Sequence, residues 1–84
     1  MKSQTLKLKD AIAKRIKELK EEKGLTQYQI FKKSGLPQST ISTIMNANTK
    51  TVEMSTIYQV CIGFDIEISD FFDCNYLKLE NLED

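Results

Sequence analysis

The sequence holds no histidine, no tryptophan, one proline, three glycines and two cysteines in 84 residues. Without histidine the commonest metal ligand and general base are missing, and no glycine-rich phosphate loop replaces them. An enzyme is therefore not expected, and no cofactor, metal or small-molecule ligand suggests itself. Cys61 and Cys74 form neither a CxxC pair nor a disulfide framework, which suits a reduced, cytoplasmic setting. No apolar run approaches the ~20 residues that span a bilayer. The opening Met1-Lys2-Ser3-Gln4 leads into a charged amphipathic stretch rather than a signal peptide, so no membrane partner is expected.

What remains is a small folded domain with polarised charge. At 40% hydrophobic and 29% charged residues the composition is that of a globule. Chains of roughly 60–80 residues bury only about 60% of their unfolded surface, which favours an economical helical core. The formal net charge is zero, yet Met1 to Lys50 carries 11 basic and 4 acidic residues, a balance of +7. From Thr51 to Asp84 there is one lysine against 8 acids, a balance of −7. A basic half joined to an acidic half points to a polyanionic partner for one face.

Leu8, Ile12, Ile16 and Leu19 recur at helical spacing and read as the core stripe of a first helix that Gly24 ends. Thr26-Gln27-Tyr28-Gln29 is a capping box, with Leu25 and Ile30 as its hydrophobic staple. Gly35 ends that second helix, and Pro37 is expected at the first position of a third, about Pro37 to Asn46. Helices separated by only Ser34 to Leu36 must cross steeply, which makes a helix-turn-helix. The third helix buries Ile41 and Ile44 and otherwise carries Gln38, Ser39, Thr40, Ser42 and Thr43, all uncharged. After a polar connection, Met54, Ile57, Val60, Cys61 and Phe64 form a fourth apolar stripe, with Glu53 or Ser55 as its cap. Ile66, Ile68, Phe71 and Phe72 suggest a short fifth helix. The tail after Asp73 reads equally as helix, strand or frayed end.

These motifs, from Lys17-Glu18-Leu19 through Lys23-Gly24-Leu25-Thr26-Gln27 and Gly35-Leu36-Pro37-Gln38-Ser39-Thr40-Ile41-Ser42 to Ile57 and Phe71-Phe72, carry a resemblance. The chain resembles the Xre-type, or phage Cro/repressor-type, helix-turn-helix family, and in particular its short single-domain bacterial regulators. The resemblance implies an all-α, five-helix, λ-repressor-like domain over residues 1–73, with 74–84 as an acidic tail and candidate dimer contact. It also implies sequence-specific binding of double-stranded DNA by a repressor-like homodimer that inserts the third helix into the major groove. Transferred position by position, it assigns Gln38, Ser39 and Thr43 to bases. Thr26, Gln27, Asn46 and Lys50 go to phosphates, with Thr40, Thr49 and Thr51 as weaker phosphate candidates. Physical chemistry agrees with several of these assignments. A glutamine amide can bond adenine bidentately, threonine methyls suit thymine, and free NH groups at a helix start hold phosphate.

The chain departs from the family pattern in several places. Phe31 stands where relatives carry a small residue, and the expected compensation is the small Ser34 beside it. Ala47-Asn48 replaces a common Gly-Lys. The third helix has no Arg or Lys, which leans base preference toward A·T-rich sites. The alternative function is a helix-turn-helix scaffold for protein partners, such as an antitoxin or antirepressor, working through its acidic half.

Overall fold

The structure, a computed structural model, describes residues 5–83. Met1 to Gln4, where the absence of a signal peptide was read, and Asp84 lie outside the described residues. Among those described are five α-helices: α1 Leu8–Lys23, α2 Gln27–Ser34, α3 Gln38–Met45, α4 Met54–Phe64 and α5 Ile68–Phe72. Two 3₁₀ turns, Asn75–Leu77 and Leu79–Asn81, follow. The five-helix, all-α expectation therefore holds.

Local chemistry sets the helix ends. Gly24 closes α1 with φ 64°, and the Leu25 N–H donates to the Lys20 carbonyl at 3.0 Å, a left-handed terminus that glycine adopts without strain. The capping box forms as expected: the Gln29 N–H donates to Thr26 Oγ1 at 3.1 Å and the Thr26 N–H to Gln29 Oε1 at 2.8 Å. Gly35 ends α2 at φ 80°. Pro37 is not the first helical residue. It is the extended N-cap of α3 (φ −57°, ψ 147°), and its carbonyl accepts from the Ile41 N–H at 3.1 Å. Neither cap suggested for α4 works through its side chain: Glu53 is the N-cap without a side-chain bond, and Ser55 lies inside the helix.

The core is one cluster drawn from all five helices, with Ile16, Ile30, Ile57, Val60, Phe64 and Phe71 its most enclosed large side chains. Three expected core positions lie outside it, Ile68 at 37% exposed among them. Leu8 is 43% exposed, because the covered stretch of α1 begins a turn later at Ala11. Ala11 and Ala13 are buried there instead, small residues that a search for large apolar side chains passes over. Met54, the first residue of α4, is 58% exposed, because the covered stretch of that helix begins at Ile57.

The α2–α4 crossing is tight for a reason the sequence hid. A Cβ on Gly63 would lie 2.9 Å from Ser34 Cβ and 3.3 Å from the Ser34 backbone. Ser34 is buried where α4 passes closest to α2. Phe31 turns half outward and packs on Tyr28, with ring centroids 5.8 Å apart. The Ser34 hydroxyl is satisfied by the Leu36 N–H at 3.1 Å, which also fixes the turn into α3.

The tail packs back on the chain that precedes it. The Tyr76 hydroxyl donates to Glu18, and the Lys14 ammonium lies 4.5 Å from the Tyr76 ring centroid. Burial, followed by that hydrogen bond to Glu18, pushes the Tyr76 phenol pKa upward. Leu6 and Leu82 form an isolated parallel bridge that ties the two ends of the domain together. The single arginine, expected among the basic charges, also serves the fold. Arg15 Nε donates to the Phe71 carbonyl at 2.7 Å and Nη2 to the Asp70 carbonyl at 2.6 Å, capping the five-residue α5.

Two substitutions should shift the thermal midpoint in opposite directions. Gly63→Ala sets a clash of about 1–3 kcal/mol against a helix-propensity gain of ~1 kcal/mol, so the midpoint should fall. Adding Ser34→Gly should recover part of the loss. Ala47, held at φ 53° after α3, should gain by becoming glycine. Release of the left-handed strain is worth about 0.5–1 kcal/mol after the unfolded-state cost.

Candidate nucleic-acid interface

The turn between α2 and α3 brings two expected DNA-contacting glutamines into direct contact. Gln27, the first residue of α2, donates from Nε2 to the Gln38 carbonyl at 3.2 Å. This strut joins the N-terminal ends of the two helices and leaves the second amide proton of Gln27 for another acceptor. Gln38 is the first residue of α3, is exposed, and its own amide makes no hydrogen bond among the described residues. Ser39 is exposed beside it. Thr43 lies one turn on, and its hydroxyl donates to the Ser39 carbonyl at 2.8 Å. With that proton directed back along the helix, the group Thr43 offers to a ligand is chiefly its methyl.

Ser39, Thr40 and Thr43 form one wall of an open cleft of about 350 Å³. Thr49, Thr51 and Val52 of the following loop and Glu53 and Thr56 at the start of α4 complete it. Thr49 and Thr51 are linked, the Thr49 hydroxyl donating to the Thr51 carbonyl at 2.8 Å, so a phosphate contact from that hydroxyl would have to exchange this bond. Thr56 was not among the expected residues. Its signal was positional, since the first turn of α4 follows directly on the loop.

Asn46 does not join that cleft. It caps α3, its Nδ2 reaches Ser42 Oγ at 3.3 Å, and it borders a second groove with Lys14, Lys17, Asp10, Glu18 and Glu21 of α1. That groove is mixed in charge, and Lys14 is drawn to Tyr76, so the basic half is not a uniformly positive surface. Lys50 is exposed in the loop and Thr26 is exposed at the start of α2. No group of three or more His, Cys, Asp or Glu among the described residues is placed to hold a metal ion, and no helix there is long and apolar enough to cross a membrane.

Two short helices joined by a tight turn, with the start of the second projecting a free amide and hydroxyls, also match known proteins at the level of sequence. The model of the Cro/C1-type helix-turn-helix DNA-binding domain matches residues 15–76, well over half the chain. The chain belongs to that family. The Cro/C1 match ends at Tyr76, inside the first of the two 3₁₀ turns. A crystal structure of a wild-type restriction-modification controller protein is similar at 27% identity and a TM-score of 0.72, covering 79% of this chain and 84% of that one. No curated protein matches. The Cro/C1 family and this structural likeness make the protein a DNA-binding transcriptional regulator.

Base-reading and phosphate-holding residues fail in different ways. Gln38→Ala should relax sequence preference by about 1–3 kcal/mol at one base position. Lys50→Ala should weaken all duplexes alike and reduce the salt slope by about one. Titrations of matched and scrambled duplexes at several salt concentrations separate the two; identical behaviour of both variants would refute the assignment.

Proposed function

We propose that the protein acts as a repressor-like homodimer on a two-fold-symmetric DNA site, placing α3 in the major groove. The observation that carries this reading is the Gln27–Gln38 strut, which holds the start of α3 outward while leaving the Gln38 amide free. Gln38, Ser39 and the Thr43 methyl then face base edges, and adenine and thymine are the bases those groups suit. Thr26 and the remaining Gln27 amide proton lie at the start of α2, where unpaired backbone N–H groups favour a phosphate. Thr40, Thr49 and Lys50 take phosphates along the cleft side, and Asn46 along the α1 side. A dimer would set its two α3 helices one DNA turn apart, about 34–36 Å, and so read a palindrome. The alternative, a scaffold working through protein partners alone, is not favoured by membership of a DNA-binding family.

The test is titration against random duplex and then selection from a random pool. Affinity for random duplex should fall by orders of magnitude between ~50 and ~200 mM salt if several phosphates are held. Selection should return a palindrome whose half-sites lie about one turn apart. Absence of binding at low salt sinks the DNA reading. A selected site without two-fold symmetry sinks the dimer alone.

A further inference from the structure

The cleft beside α3 is lined by hydroxyls, two apolar side chains and a single charged group, and that charge is negative: Glu53, where α4 begins. Glu53 is exposed and does not cap α4 through its side chain. Its carboxylate makes no hydrogen bond or ion pair among the described residues. The fold therefore has no use for this charge, yet it shares a cleft with Ser39 and Thr43, the expected base readers.

Without that carboxylate, this end of the cleft would suit an anion. The Glu53 carbonyl accepts from the Thr56 and Ile57 N–H groups at 3.0 and 3.1 Å, while those of Met54 and Ser55 have no backbone partner among the described residues. Open N–H groups and the positive end of a helix dipole favour a phosphate, and the hydroxyls of Thr40, Thr51 and Thr56 line the same space. A negative side chain there has the opposite effect. Two neighbouring hydroxyls reinforce it. Thr43 and Thr49 each direct their proton to a carbonyl at 2.8 Å, so both oxygens meet an incoming group as acceptors.

We propose that Glu53 keeps the DNA backbone out of this cleft and so holds affinity for every duplex below what the fold could give. The proposal rests on the DNA reading above and adds to it a residue that acts against binding. Phosphates then reach Thr40, Thr49 and Lys50 only at the outer edge of the cleft. Base contacts by Gln38, Ser39 and Thr43 carry a larger share of the affinity that is left. A carboxylate can also accept from the amino group of cytosine. The open N–H groups of α4 decide between the two roles, because they draw a phosphate, not a base edge, toward Glu53.

Glu53→Gln removes the charge and keeps the shape, and its thermal midpoint should match that of the wild type. Titrated as the full chain against several unrelated duplexes at ~50 mM salt, it should bind about three- to tenfold more tightly per protomer, equally on all of them. The gain should shrink toward ~300 mM salt as the repulsion is screened. Glu53→Lys should gain more. Glu67→Gln changes net charge equally but lies beyond the far end of α4, an axis of roughly 16 Å, and should alter affinity less than about twofold. No gain from Glu53→Gln overturns the proposal, as does an equal gain from Glu67→Gln. A loss of preference at one base pair, in selection from a random pool, overturns it too and makes Glu53 a base reader. If neither wild type nor variants bind duplex at low salt, the DNA reading falls with it; wild-type binding that Glu53→Gln leaves unchanged refutes this inference alone.

Discussion

The contact between Ser34 and Gly63 sets the geometry that everything else uses. It lets the end of α2 lie directly on α4, with no Cβ available on one side and only a small one on the other. That closeness seats Ile30 and Leu36 in the core, and the Ser34 hydroxyl, bonded to the Leu36 N–H, carries the chain into the turn. The angle at which α3 leaves the domain follows from these constraints. In a chain this short there is no second layer to correct an error, so the crossing must be specified by the residues that touch.

The exposed chemistry of α3 follows from what that turn does to two glutamines. Gln27 spends one amide proton on the Gln38 carbonyl, which steadies the first turn of α3 where its N–H groups are otherwise unpaired. Gln38 is left with a free amide on a fixed base. Thr43 turns its hydroxyl back onto the helix and shows a methyl. The surface thus pairs a hydrogen-bonding head with apolar contact, using short side chains that lose little entropy on docking. Long-range attraction has to come from lysines elsewhere.

Those lysines are fewer in effect than in number. Arg15 closes α5, and Lys14 sits over the ring of Tyr76, whose hydroxyl donates to Glu18. The charged helix α1 is thus a structural clamp on one side, holding α5 and the tail, before it contributes anything to a polyanion. The acidic half has a comparable double character. Its α4 is wholly uncharged, and its acids gather at that helix's ends and beyond. The division of charge along the chain is real, but it does not map onto two uniform faces.

Much of this was written locally in the sequence. The capping box at Thr26, the glycine terminators at Gly24 and Gly35, and the spacing of Ile41 and Ile44 act over one or two turns. They specified the helix-turn-helix and the residues at its tip without reference to the rest of the chain. What distant parts of the chain do to each other was not legible. Periodicity alone put Leu8 and Met54 in the core, although burial depends on which neighbour arrives. It could not say that α4 would press on Ser34, that a helix-one arginine would cap α5, or that the tail would close onto Tyr76's partners. Nor could it divide the apolar residues of α4 into an inward set and an outward row. The sequence by itself determined the family, the motif and the identity of its exposed side chains, because those rest on local geometry. Only the tertiary structure decided which charges remain free and which apolar face is left uncovered, because both depend on contacts between residues far apart along the chain.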